Sequence, residues 1–556
     1  MYKILEASTM DNFDEILVKI GSLNWFQLRT YIFICIVSFG GCLITFAQFF
    51  MTGTNDHWCK VSQWEAENCS QYLMDASQCD ELKRNLSTPV NLDEYDLDPQ
   101  CFKYNLSGIS LSDAYESNNL STYIDDVIPC DEGWHFERNN YRKTITEEWE
   151  LVCDRSSIPN VLQSVNLAGV LLGCILSGAM ADKIGRFYTI AICTVLTGVV
   201  CAITALSSNI YVYAMLRFTV GATTYGASLV CFVYGTEVVG ADVRVYFGVF
   251  LWYFFALGYF VLAVIGRYVT SWRIQMVIYA LPFLFLTPFI GMLSESPRWL
   301  LSKKKFVHAE KVIKKIARVN GKTLPDELMS TLKTVEDVPI QSASYLDILR
   351  HRILIYYTIN LIYNWFVQSF VYYGLSLGTS SLGVNNYIAF CLSGAVEIPA
   401  YTASMFSMTY LGRKISTGGL MILAGLACFA TILAPLGPIR VIFGMIGKFA
   451  ITASFANIYV HTAEIFPTPL RVLGVGTCSI AARVGGIIAP LVLVLEKGWK
   501  HLPLVCFAAS SVLAGLLVFF LPETKGLPMP DTIEDTLSLR KRKYRPVNNN
   551  QAASEL

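Results

Sequence analysis

Three charged side chains stand inside stretches that are otherwise small or apolar: Glu397 in SGAVEIPAY, Lys448 in GMIGKFAI and Arg483 in SIAARVGGII. A charge placed in hydrocarbon costs a few kcal/mol, ~2.5–3.5 on insertion scales, so such residues mark a functional site or a buried pair. Glu397 can hold an ammonium. Arg483 can hold a carboxylate in bidentate geometry. Aromatic rings cluster in two nearby runs, Tyr363, Trp365, Tyr372 and Tyr373 in one, and Trp252, Tyr253, Phe254, Phe255 and Tyr259 in the other. Ring faces attract alkylammonium groups by cation–π interaction. Acid, base and rings together suit a ligand carrying both signs of charge, with Tyr401, Trp365, Tyr372, Tyr373 and Lys448 joining Glu397 and Arg483 in the expected binding set. Two structural alternatives stay open: Glu397 pairs with Arg483, or Lys448 is the partner of Glu397.

The elements that must position these residues are membrane helices. The chain has 556 residues, 53% hydrophobic and 15% charged, against roughly a quarter charged in soluble proteins. About twelve apolar runs of roughly 20 residues, the length that crosses ~30 Å of hydrocarbon, recur along it. An all-α membrane protein of twelve transmembrane helices is expected. Glu397 lies about 12 residues into its run, roughly 18 Å at 1.5 Å per residue, and Arg483 about nine residues into its own. Both depths fall near mid-membrane. Pro399 after Glu397, and Gly485, Gly486 and Pro490 after Arg483, predict helices broken where they line a cavity.

Charge distribution orients the bundle. Residues 51–158 hold 21 Asp and Glu against 8 Lys and Arg, whereas 294–350 hold 11 Lys and Arg, and RKRKYR (540–545) lies near the chain end. The positive-inside tendency puts the basic segments and both termini in the cytosol and the acidic segment outside. Six of the 16 cysteines, Cys59, Cys69, Cys79, Cys101, Cys130 and Cys153, lie in the acidic segment and read as three disulfides of unassigned pairing. Acceptor sequons at Asn68, Asn85, Asn105 and Asn119 point to glycosylation there. The first 25 residues are too polar for a cleaved leader, so the first span is expected to act as the targeting signal. The expected division is 1–29 cytosolic, 30–50 first helix, 51–158 extracellular loop, 159–293 remainder of the first half, 294–350 cytosolic linker, 351–521 second half and 522–556 cytosolic tail.

Short motifs repeat at a fixed distance. Gly185–Arg186 of ADKIGR recurs 227 positions later as Gly412–Arg413, and Glu237 with Arg244 recurs as Glu464 with Arg471, again at 227. Glu295 in SESPRWL matches Glu523 in LPETKG at an offset of 228. The chain is therefore a duplication of six spans, the arrangement in which a site lies between two bundles that rock against each other. Asp182, Arg186, Glu237, Arg244, Arg413, Glu464 and Arg471 are expected to form an ion-pair network that gates the inner end. Thr409 replaces the acid at the position equivalent to Asp182.

The cysteine-rich, sequon-bearing loop closing on TEEWELVCDR, followed by ADKIGR, SESPRWL, VEIPAY, TAEIFPT and LPETKG, resembles solute carrier family 22, the organic cation, organic anion and carnitine transporters, over about Phe13 to Asp535. The resemblance implies the major facilitator fold and alternating-access transport. In that family the position matching Arg483 is typically Asp in cation carriers and Arg in anion and carnitine carriers. The position of Glu397 is Glu in cation and carnitine carriers, while anion carriers tend to Asp, with Lys where Tyr401 stands. This chain carries the carnitine-like choice at both, which implies a carrier of carnitine-like betaines in the plasma membrane. An organic-cation carrier using Glu397 alone and an organic-anion carrier using Arg483 and Lys448 are the alternatives within the family. A glycosylated receptor or channel is the alternative outside it. No phosphate loop, HExxH, CxxC or nucleophile elbow occurs, so no enzyme, cofactor, metal or nucleic-acid partner is expected, and flux must draw on a gradient, an exchange partner or a coupled ion. Ser554–Leu556 fits C-terminal capture by a PDZ domain.

Overall fold

The computed structural model describes residues 16–17, 19–65, 69, 76–89, 98–116, 127–137, 143–240, 243–323, 345–527, 529–530 and 532–539. Asn68, Asn119, the 540–545 basic run and Ser554–Leu556 lie outside the described residues, as does the side chain of Arg244.

Apolar runs become helices because only a helix satisfies every backbone hydrogen bond within its own segment. The first six are α1 (Trp25–Met51), α2 (Ile158–Ile184), α3 (Arg186–Thr204), α4 (Ile210–Val238), α5 (Arg244–Tyr268) and α6 (Trp272–Leu286). The second six are α7 (Arg352–Leu377), α8 (Asn386–Leu411), α9 (Arg413–Leu433), α10 (Pro438–Ile465), α11 (Thr468–Leu493) and α12 (Leu502–Val518). Ten of the regions are long and apolar enough to cross a bilayer. The two below that mark are α7 and α12, for different reasons. At 17 residues α12 is short. The apolar average of α7 is diluted by Asn360, Asn364, Gln368 and Ser369, all buried within the bundle. Their amides are bonded locally: Asn360 Nδ2 donates to the Leu517 carbonyl at 2.8 Å and Gln368 Nε2 to Ser454 Oγ at 2.8 Å.

Large apolar side chains cover the helix exteriors, among them Met215, Ile359 and Leu433, each more than 60% exposed, as a lipid-facing surface requires. The interior of the second half is a cluster of Leu361, Trp365, Ile458, Phe466, Leu470 and Ala482 between α7, α10 and α11. In the basic connector an amphipathic helix, Phe306–Val319, buries Ala309, Ile313, Ile316 and Ala317. Asn320 beyond its end donates to Ile20 O (2.9 Å) and Gln27 Oε1 (3.0 Å), and accepts from Phe26 N, anchoring the connector to the start of α1.

Two compact units divide the chain: residues 1–47, 160–265 and 276–556, and a smaller unit of 48–159 with 266–275. The smaller unit holds two short antiparallel pairs, β1 (His57–Cys59) with β4 (Trp134–Phe136), and β2 (Phe102–Tyr104) with β3 (Val127–Pro129). Disulfides join Cys59 to Cys130, Cys69 to Cys79 and Cys101 to Cys153. A segment this polar cannot bury a large core, and cross-links that close 71- and 52-residue loops each contribute about 4 kcal/mol by chain entropy. Its small core gathers around Trp64, Tyr104, Leu106 and Leu111. Asn85 is exposed in this unit and Asn105 half-buried.

Candidate functional site

Glu397 sits on α8, whose start is fixed by Asn385 Oδ1 accepting from Tyr387 N at 3.0 Å. Pro399 lies inside that helix and Pro490 inside α11, yet both helices run unbroken past the charged residue. The expected breaks are absent. The glycines serve close packing instead: a Cβ on Gly485 would meet the Phe366 carbonyl oxygen of α7 at 2.2 Å, and one on Gly486 the Tyr373 ring at 3.1 Å. Dispensing with those side chains brings α11 directly against α7.

Three other helices, α10, α7 and α5, deliver most of the acid's surroundings. Lys448 Nζ lies 3.0 Å from Glu397 Oε1, with side chains 1% and 0% exposed. Tyr372 OH donates to Oε1 at 2.7 Å and Tyr401 OH to Oε2 at 3.3 Å. Tyr259 OH donates in turn to Tyr372 OH, 3.2 Å away, and the Lys448 ammonium also donates to Ser376 Oγ. The same ammonium stands 3.4 Å from the Tyr372 ring centroid and 5.7 Å from that of Tyr259. A buried ion pair is tolerated only when hydrogen bonds satisfy its remaining lone pairs and protons, and this one is so enclosed.

Arg483 is placed differently. Its guanidinium carbon lies 4.2 Å above the ring of Tyr225 on α4, and Nη2 donates to the Tyr225 hydroxyl. Arg483 Nε is buried without a hydrogen-bond partner, and among the described residues no carboxylate pairs with it. Tyr459 and Tyr373 are its other electrostatic neighbours. The structure thus joins Glu397 to Lys448 rather than to Arg483, and brings Tyr372 and Tyr401 to the acid and Tyr373 toward the base. Trp365 touches neither charge directly: it lies in the cluster between α7, α10 and α11, its Nε1 donates to Thr462 Oγ1 at 2.9 Å, and its ring packs 4.2 Å from that of Tyr459, the neighbour of Arg483. The rings expected on α5 meet the second half: Trp252 stacks on Tyr401 with centroids 5.8 Å apart, and Tyr253 OH bonds Thr402 Oγ1 at 2.7 Å. On the other side Ser164 Oγ of α2 donates to Ile487 O of α11 at 2.8 Å. The site therefore lies where the two halves face each other.

At one end of the bundle the duplication is repeated atom for atom. Arg186 Nε lies 3.2 Å from both oxygens of Glu237, and Arg413 Nε 3.2 and 2.9 Å from those of Glu464. Glu295 accepts from the amides of Arg186 (2.8 Å) and Phe187 (3.2 Å) at the start of α3; Glu523 accepts from Arg413 (3.0 Å) and Lys414 (3.0 Å) at the start of α9. A carboxylate on free helix N–H groups is stabilised by both hydrogen bonding and the helix dipole. Burial pushes the Glu523 carboxyl upward, but the amides of Lys525, Arg413 and Lys414 outweigh it and hold its pKa below the ordinary value. Gly185 (φ 110°) and Gly412 (φ 88°) make the approach possible, since a Cβ on Gly185 would meet Glu295 Oε2 at 2.1 Å. Asp182 adds a 3.0 Å pair to Arg186 in the first half only. Arg471 Nε donates to Ala463 O at 2.8 Å. These ion pairs join helices within one half: α3 to α4 and α9 to α10. They brace each half and do not by themselves tie the halves together.

Sequence reading did not single out Tyr225 or Ser376, nor assign a role to the Glu295 and Glu523 helix clamps. The matched offset of the two acids was the one available signal; a hydroxyl partner on a distant helix leaves none.

Residues 127–534 match the family model described as "Sugar (and other) transporter". Among curated proteins the chain is 35% identical over 541 residues to an organic cation transporter protein of Drosophila melanogaster, covering 95% of both chains. It is 34% identical to human solute carrier family 22 member 13 (95% of this chain, 93% of the relative) and 30% identical to human organic cation/carnitine transporter 2 (96% of each). In fold it is similar to the inward-open xylose transporter XylE of E. coli, with a TM-score of 0.57 at 16% identity over 92% of this chain and 99% of the other. A duplicated helical bundle with a buried site between its halves, and relatives that are transporters rather than enzymes across nearly the whole length, lead to one conclusion: the chain belongs to solute carrier family 22, the organic ion transporters of the major facilitator superfamily.

Proposed function

We propose that the protein is a plasma-membrane carrier of small organic cations and zwitterions, carnitine-like betaines foremost, working by alternating access between two halves of a twelve-span bundle. The observation that carries this reading is the seat of the Lys448 ammonium, 3.0 Å from Glu397 Oε1 and 3.4 Å from the Tyr372 ring centroid. An acid beside a ring face is what a substrate ammonium needs, and Lys448 holds that place as a built-in surrogate. A betaine would take Glu397 from Lys448 with its ammonium and give Arg483 the carboxylate it lacks. Binding that satisfies both charges draws the halves together, and the Arg186–Glu237 and Arg413–Glu464 braces let each move as a body. In the same reading both termini are cytosolic, the cysteine-rich segment is extracellular and glycosylated at Asn68, Asn85, Asn105 and Asn119, Arg244 and Arg471 complete the inner gate network with Asp182, and Ser554–Leu556 engages a PDZ domain.

A second reading follows from the same geometry. Glu397 is already neutralised by Lys448 while Arg483 is not neutralised at all, which favours an organic-anion carrier. Uptake of radiolabelled carnitine, a simple quaternary ammonium and a simple dicarboxylate into proteoliposomes separates the two. Saturable carnitine uptake is expected; saturable dicarboxylate uptake alone overturns the zwitterion reading in favour of the second. Absence of saturable uptake for all three contradicts both.

A further inference from the structure

Within the second half a narrow cavity opens between α7, α9, α10, α12 and the α11–α12 connection. Its charged lining is Arg440, Lys448, Lys500 and Glu496, three cations against one carboxylate. Arg440 is 5% exposed. Its Nε donates to Thr431 O at 3.0 Å, and among the described residues its two Nη groups have no protein acceptor. Glu496 is the carboxylate within electrostatic reach and is shared with Lys500, so two cations face one anion there, and an anion supplied from solution offsets the excess charge.

The arrangement on α10 is regular. Arg440, Gly444 and Lys448 follow at four-residue steps and share one face, with the outer two about 12 Å apart along the axis. Gly444 leaves the space between them open to the cavity. The other half arranges this face differently: 227 positions earlier the places of Arg440, Gly444 and Lys448 are held by Tyr213, Arg217 and Gly221, all buried, so one cation stands there where the second half has two. Water-sized molecules have little room, on the order of three of them, which suits a small ion and not an organic solute.

Lys448 is the wall common to this cavity and the Glu397 site. We propose that the cavity binds a small inorganic anion of chloride size on Arg440 and Lys500. When a substrate ammonium takes Glu397, the anion on the other side of Lys448 compensates the displaced lysine charge. Anion and organic cation then favour each other's binding, and by linkage by the same factor. The coupling rests on reading Glu397 as the ammonium site; the anion site does not.

The test is thermal unfolding of the purified full chain in detergent, with chloride replacing gluconate at constant ionic strength. The midpoint should rise saturably with chloride in wild type and in Arg483→Ala, and stay flat in Arg440→Gln. In Glu496→Gln, where the cavity's one carboxylate charge is gone, half the effect should need several-fold less chloride. No saturable response in wild type overturns the anion site, as does a response lost in Arg483→Ala but kept in Arg440→Gln. If Arg440→Gln does not fold, Glu496→Gln decides, and an unchanged or higher half-effect concentration overturns the site. For the coupling, KM for the transported ammonium compound should fall several-fold from gluconate to chloride in wild type and not in Arg440→Gln. A KM indifferent to chloride, with the unfolding response intact, overturns the coupling. If no ammonium compound is transported, the reading of Glu397 fails while the unfolding response still reads the cavity.

Discussion

The Lys448 ammonium lies 3.0 Å from the Glu397 carboxylate, on separate helices, and neither side chain is more than 1% exposed. Removing one partner leaves the other charged and buried, which typically costs about 3–5 kcal/mol, whereas removing both charges costs far less. Lys448→Met and Glu397→Gln are each expected to lower the unfolding midpoint strongly. The double variant should recover much of the loss. Additive losses in that cycle contradict the pairing.

Tyr225 fills the role of acceptor on Arg483. Its hydroxyl competes with a substrate carboxylate for the same Nη2 group. In Tyr225→Phe the ring face remains and the competitor is gone, so KM for a carboxylate-bearing substrate should fall by about 2- to 10-fold, the equivalent of one hydrogen bond of ~0.5–1.5 kcal/mol. Initial-rate uptake measures this. A raised KM would assign the hydroxyl to substrate contact instead.

Gly185 and Gly412 are expected to tolerate no side chain. Positive φ and the adjacent carboxylates give Gly185→Ala and Gly412→Ala a cost of about 1–3 kcal/mol each. Gly419→Ala, with no atom within 4 Å of the added methyl, is the matched control and should leave the midpoint unchanged or slightly raised. Equal effects at all three positions contradict the helix-clamp account.

What the sequence made legible, and what it hid, follows from the kind of signal each feature leaves. Glu397, Lys448 and Arg483 were visible because a charge within an apolar run is conspicuous, and the halves because duplication keeps a constant offset. Which charge meets which was not visible. Pairing depends on the rotation of three helices about their axes, and Tyr225 is one of 29 tyrosines with nothing in its neighbourhood to distinguish it. In sequence Gly485 and Gly486 resemble helix breakers, but in a membrane helix glycine equally permits close approach to a neighbour. Trp365 shares a run with Tyr372 and Tyr373 yet faces the interior of its own half.

The Glu523 clamp predicts a dependence on pH. Its carboxyl is held below the ordinary range in the folded protein, so its contribution is full above the unfolded value of about 4.3 and is lost as pH falls through the lower folded value. The unfolding midpoint of wild type should therefore decline below about pH 4. Glu523→Gln should start lower at neutral pH and decline less. Parallel declines in the two proteins rule out this contribution.

The central claim is that Arg483 holds the carboxylate of a zwitterion whose ammonium is held at Glu397. Uptake per surface molecule of carnitine and of a simple quaternary ammonium, in cells expressing wild type and Arg483→Ala, addresses it most directly. The account predicts that Arg483→Ala loses carnitine uptake while uptake of the quaternary ammonium is kept or gained. Carnitine uptake unchanged in Arg483→Ala, or both uptakes falling only in step with surface expression, would contradict it and leave Arg483 as a structural contact to Tyr225.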